Sequence, residues 1–181
     1  MNNTVYVLLA EGFEEVEALA PVDLLRRAGV AVETVSIDGT VVVCGARGIE
    51  VVADIPLSEL NEAEMAMLVL PGGYPGYENL GKSEAVRALI LRTVAAGKKI
   101  AAICGAPSVL GDLGVLKGER ATCYPGMEDT LGCEAVAEPV VRSGQFITSR
   151  GVGTALDFAL ALVAEAASAE KADEIRKGIV Y

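Results

Sequence analysis

The stretch Ala101-Ala102-Ile103-Cys104-Gly105-Ala106-Pro107 decides how this chain folds. From Ile100 to Ile103 every position is apolar, which suits a strand buried on both faces. Pro107 follows almost at once, and proline fits a helix only in its first turn. A strand therefore passes into a helix with hardly any loop, as in a parallel sheet covered by helices. The same grammar recurs outward. Val5 to Leu9 and Met65 to Leu70 are continuous apolar runs, and Val30 to Ile37 alternates. Helical patterns cover Glu14 to Ala28, Ser83 to Ala96, Ala106 to Leu113 and Thr154 to Ala167. Gly29 and Gly97 stand just past two of them, where a left-handed C-cap is wanted. Alternating strand and helix predicts a doubly wound α/β domain. Thr40 to Val52 departs from this rule, with two β-rich runs meeting at Cys44-Gly45-Ala46, and is read as an antiparallel hairpin excursion. No repeat or linker divides the chain, so residues 1–181 are expected to form one domain.

Composition narrows the chemistry. Histidine and tryptophan are both absent. Without imidazole, Ser-His-Asp and Cys-His catalysis within the chain are excluded, and the commonest zinc, copper and iron ligand is missing. Cys44, Cys104, Cys123 and Cys133 contain no C-x-x-C pair, so no metal site is expected and reduced thiols are. Fifteen basic against 25 acidic residues give a net charge of −10, which disfavours nucleic acid and anionic membranes as partners. No apolar run approaches the roughly 20 residues of a membrane span. Met1-Asn2-Asn3-Thr4 lacks the basic start of a signal peptide, and a cytoplasmic chain is expected.

Ligands in such sheets bind beyond the carboxyl ends of the strands, which selects the loops after Leu9, Leu70, Ile103 and Ser149. Cys104 ends an apolar strand in a turn of small residues, the setting of a projected nucleophile whose thiolate a helix N-terminus favours. A buried structural thiol is the competing reading, and the two are evenly balanced. Gly72 and Gly73, in Leu70-Pro71-Gly72-Gly73, can present backbone N–H groups to an oxyanion or simply close a tight turn. Glu14 and Glu15 are explained as first-turn acids. Glu17 differs, because its neighbours Val16, Ala18, Leu19 and Ala20 are apolar and a carboxyl there tends to stay protonated. Pro21 cannot donate to the Glu17 carbonyl, which predicts a kinked or locally opened helix. Gly151-Val152-Gly153 lacks the rest of a dinucleotide fingerprint, so no cofactor is expected, and Arg150 beside it suits pairing with an acid or anion.

Together these loops resemble the ThiJ/PfpI superfamily, in the branch of the parkinsonism-associated protein deglycase. The resemblance rests on Glu14-Glu15-x-Glu17 with Pro21-Val22-Asp23, Leu70-Pro71-Gly72-Gly73, Ala101-Ala102-Ile103-Cys104, and Thr148-Ser149-Arg150-Gly151 with Gly153-Thr154. It implies a flavodoxin-like three-layer α/β/α sandwich with a mostly parallel sheet, usually a homodimer. It also implies Cys104 as an oxidation-prone nucleophile and Glu17 as the protonated carboxyl beside it. The Gly73 and Gly105 amides would hold the developing oxyanion, and Arg47 would lie at the rim near the dimer interface. The implied activity is cofactor-free glyoxalase III chemistry on methylglyoxal and glyoxal, or removal of early glycation adducts from amines.

One departure stands out. Where the best-known members carry a histidine before proline, facing the cysteine, this chain has Tyr124-Pro125. A phenol is a weak base at neutral pH but a good hydrogen-bond donor. Cys123 beside it is read as a strand residue, the alternative being a thiol that resolves oxidised Cys104. A non-catalytic redox sensor or chaperone, with Cys104 oxidising to sulfinate, needs no imidazole and stands as the alternative function. The peptidase arm of the superfamily is weaker, because it uses a histidine beside its cysteine.

Overall fold

The computed structural model describes residues 4–181, so Met1-Asn2-Asn3, on which the signal-peptide expectation rests, lie outside the described residues. The chain runs β1 (Thr4–Leu9), α1 (Glu15–Arg27), β2 (Val32–Ser36), β3 (Val42–Cys44), β4 (Glu50–Val52) and β5 (Ile55–Pro56). It continues β6 (Met65–Leu70), α2 (Gly76–Lys82), α3 (Glu84–Ala95), β7 (Lys99–Ile103), α4 (Pro107–Asp112) and β8 (Arg120–Ala121). β9 (Glu134–Ala135), β10 (Val140–Ser143), β11 (Phe146–Ser149), α5 (Ala155–Ala166) and α6 (Ala169–Gly178) complete it.

The central sheet has the order β10-β11-β7-β6-β1-β2-β5, and only β10 runs antiparallel to its neighbour. Its middle, β2-β1-β6-β7-β11, is the flavodoxin-like order 2-1-3-4-5 with its switch point between β1 and β6. Helices cover both faces, which is why the strand residues are apolar without alternation. In β1, Val5, Val7 and Leu9 join the core under α1 and α5, while Tyr6 and Leu8 join the core under α3 and α4.

The predicted helices appear within a residue or two of their sequence limits, and the hairpin β3–β4 pairs Val42 with Val52 as expected. Gly29 and Gly97 adopt φ of +77° and +66°, the left-handed caps read from the sequence. Pro21 does not open α1, which runs unbroken from Glu15 to Arg27 with the proline ring buried. Packing against the sheet compensates for the hydrogen bond that Glu17's carbonyl cannot receive. Among the described residues, no helix is long and apolar enough to cross a membrane.

Candidate active site

Cys104 sits one residue past β7 with φ +64°, a left-handed conformation that only Cys104 and Val180 share among the described non-glycine residues. Holding a side chain there costs on the order of 1–3 kcal/mol and persists only where neighbours impose it. The neighbours are identifiable. The Cys104 N–H donates to the Ser149 carbonyl at 3.0 Å, and its own carbonyl accepts from the Tyr124 N–H at 2.8 Å. Strands on one side and the Tyr124 loop on the other thus clamp the elbow.

Glu17 reaches the same point from α1. It is 1% exposed, and its Oε2 accepts the Gly72 N–H at 3.0 Å while the buried Oε1 has no partner. A Cβ on Gly72 would stand 2.5 Å from both Cys104 Cβ and Glu17 Oε2. Only glycine lets acid and thiol approach each other across that loop. Burial drives the Glu17 carboxyl up to about 7, against the opposing pull of the Cys104 thiol and the Gly72 N–H. The burial is the desolvated setting that the sequence reading expected for this carboxyl.

The thiol corrects an expectation. Burial first, and then the Glu17 charge, push Cys104 up to about 12, although the N–H groups of Gly73 and Gly105 favour its thiolate. The helix that follows is only six residues long, so its N-terminus does not outweigh desolvation and an adjacent carboxylate. The buried acid therefore works against ionising the thiol beside it.

A cavity of about 940 Å³ opens over the pair. Cys104, Glu17, Gly73, Gly105, Tyr124, Arg47 and Arg150 all line it, so the structure gathers most of the predicted set in one place. Two predicted residues do not fit their expected parts. Gly72 has its N–H engaged by Glu17, which leaves Gly73 and Gly105 as the amides facing sulfur. Cys123, read as a strand residue, lies two positions past the end of β8, is packed into the apolar cluster on the other face of the sheet and does not line the cavity. Its backbone adjoins the elbow through Tyr124, but its side chain points elsewhere, so it is not placed to resolve Cys104; both thiols are free.

Tyr124 is 53% exposed, with its ring lying along Gly151. The Arg47 N–H donates to Glu15 Oε1 at 2.7 Å, and its exposed guanidinium stands 3.9 Å from Glu14. Arg150 forms no ion pair with an acid among the described residues; its N–H and that of Gly151 donate to Thr154 Oγ1 at 3.2 Å, which closes the loop. Tyr74, Tyr77 and Met127 also line the cavity and escaped the sequence reading. The place of Tyr77, one turn past the paired glycines, was the available signal, but Gly76 obscured the helix that carries it.

Residues 3–165 match the DJ-1/PfpI family. The chain belongs to that family. Protein dj-1beta of Drosophila melanogaster is 38% identical over 183 residues, covering 99% of this chain and 98% of that protein. The crystal structure of that DJ-1 protein matches with a TM-score of 0.95 over 99% of this chain and 98% of its own. The structure of Toxoplasma gondii DJ-1, oxidized, matches with a TM-score of 0.93 at 36% identity, covering 98% of each chain. The glutathione-independent glyoxalase DJR-1.2 of Caenorhabditis elegans is 32% identical over 179 residues, 97% of this chain and 95% of that protein. The DJ-1/PfpI fold and the glyoxalase-like members of the family thus extend over essentially the whole chain.

Proposed function

We propose that this protein is a cofactor-independent, cysteine-dependent enzyme acting on reactive 2-oxoaldehydes, converting methylglyoxal to lactate. The observation that carries the reading is the buried Glu17 carboxyl, one oxygen unpartnered, beside a thiol held at a strained elbow. Similarity to a protein named as a glutathione-independent glyoxalase supports it. Glu17 takes the Cys104 proton as sulfur adds to the aldehyde carbon. The N–H groups of Gly73 and Gly105 hold the resulting oxyanion until Glu17 returns that proton to it, giving a hemithioacetal. Glu17 then moves a proton from the former aldehyde carbon to its neighbour while the hydroxyl proton passes to the neighbouring oxygen, leaving a thioester that water hydrolyses to lactate and free thiol. The substrates are small aldehydes or their adducts on amines.

The test is lactate formation from methylglyoxal, with intact mass recorded after mild peroxide treatment. Wild type is expected to turn over, and Tyr124→His to raise kcat, since general acid–base help is worth roughly 100- to 10,000-fold. A wild type that makes no lactate while Cys104 gains two oxygen atoms would favour the second reading, a sulfinate-forming redox sensor. The match to an oxidized relative's structure supports that alternative.

The proposal includes a homodimer. Val16 on α1 and Val42, Ile49 and Val52 on the hairpin are exposed apolar residues. The Phe13 carbonyl accepts the Ala46 N–H, which binds the hairpin to the start of α1, and Val42 and Val52 are cross-strand partners on it. Exposed apolar patches of this kind mark interaction surfaces. Sedimentation is expected to give twice the 18.7 kDa of one chain, and Val52→Glu to shift the mass toward monomer. A wild type that sediments as monomer at micromolar concentration removes the dimer.

A further inference from the structure

Tyr77 lies against the cysteine elbow in a way the proposed mechanism does not use. A Cβ built on Gly105 would stand 2.6 Å from Tyr77 Cδ1 and 2.8 Å from its Cγ and Cε1. The ring is therefore seated directly on the Gly105 backbone. The Tyr77 N–H donates to the Gly73 carbonyl at 2.9 Å. One residue of α2 thus touches both glycines whose amides face Cys104 Sγ, and its ring forms cavity wall beside the sulfur. Its partner Tyr74, 6.4 Å away between ring centroids, is largely exposed, and its ring is not among the atoms that crowd Gly105.

We infer that Tyr77 is a positioning residue of the cysteine site: its ring on Gly105 and its N–H on Gly73 hold the two amides on sulfur. The inference rests on the proposed reading only in taking Cys104 as the reacting atom. Two consequences follow from the geometry. The work is done by the ring and the backbone, so the phenol oxygen is dispensable. Ring and glycine are also sterically coupled, because a side chain at position 105 and an aromatic at position 77 claim the same space. A side chain at 105 must push the ring away or tilt its own peptide, and either movement takes an N–H off the sulfur. Burial holds the phenol of Tyr77 above its ordinary range, so the ring stays uncharged beside the thiol across the working pH range.

The experiment is the pH profile of Cys104 alkylation by iodoacetamide, followed by intact mass, on the full chain. The variants are Tyr77→Ala, Tyr77→Leu, Tyr77→Phe, Gly105→Ala and the double Gly105→Ala/Tyr77→Ala. Loss of the ring is expected to slow alkylation about tenfold at neutral pH and to move the profile upward, because sub-ångström misplacement of oriented donors has effects of that order. Tyr77→Phe restores the wild-type profile. Gly105→Ala alone is slowed at least as much, and adding Tyr77→Ala recovers part of the loss. Tyr77→Leu gives the same answer should the alanine variant fail to fold, with circular dichroism as the check. Profiles for Tyr77→Ala and Tyr77→Leu that superimpose on wild type, or a Gly105→Ala defect untouched by the second change, overturn the assignment. Alkylation needs no aldehyde turnover. A shifted profile in a protein that makes no lactate therefore sinks the proposed reaction and leaves the positioning role standing.

Discussion

Cys104→Ala is expected to lower lactate formation from methylglyoxal by at least about 10,000-fold, the scale on which removal of a covalent nucleophile acts in other enzymes. The argument is one of substitution. The cavity holds no imidazole, and among the described residues no thiol but Cys104 lines it, so no second thiol can take over. Glu17 alone can abstract a proton, but without a carbon–sulfur bond there is no oxyanion for the Gly73 and Gly105 amides to stabilise. The fold should not suffer. An alanine keeps the Cβ that Gly72 packs against and adopts the same backbone, so the thermal midpoint should stay within a few degrees of wild type. Lactate production by Cys104→Ala within about tenfold of wild type would rule out covalent catalysis through this residue.

How far the sequence discloses this site depends on which physical effect governs each residue. The strands are legible because burial on both faces removes polar positions altogether, as in β6 and β7. Helix α6 is not, since its ten residues are mostly polar and only Ile175 is buried. Helix α2 hides behind Gly76 and Gly81, poor helix formers at both ends of seven residues. The cysteine elbow is legible because strand, small residues and proline are contiguous. The part played by Gly72 is not, because it depends on Glu17, 55 positions earlier, arriving beneath its N–H. The thiol's resistance to ionising is a matter of burial and of one neighbouring charge, neither of which a linear motif contains. Tyr124 is legible as a departure from the resemblance, and the structure places its exposed ring along Gly151.

Glu17→Gln separates stability from activity, and the two should move in opposite directions above neutral pH. The folded carboxyl is raised from 4.5 to about 7, so between those values the folded chain holds a proton that the unfolded chain has released. Stability from this group is complete below about pH 4.5 and is lost as pH rises through 7, by about 3 kcal/mol in total. For a chain of this size that corresponds to a fall of roughly 6–12 °C in thermal midpoint between pH 4.5 and 8. Cys104 acts in the same sense only above its unfolded value of 9.0, outside the window. The amide that Glu17→Gln introduces can keep the Gly72 bond but cannot ionise, so the variant should lose this slope and melt above wild type at pH 8. Its activity should fall about 100- to 10,000-fold, since the residue that carries both proton transfers is gone. Wild-type kcat/KM should climb with pH through about 7, where the acid–thiol pair gives up its first proton and Glu17 becomes able to accept the thiol's. The variant's small residual rate should lack that limb. A Glu17→Gln protein with the wild-type pH profile, or with an unchanged dependence of melting on pH, would place the titrating group elsewhere.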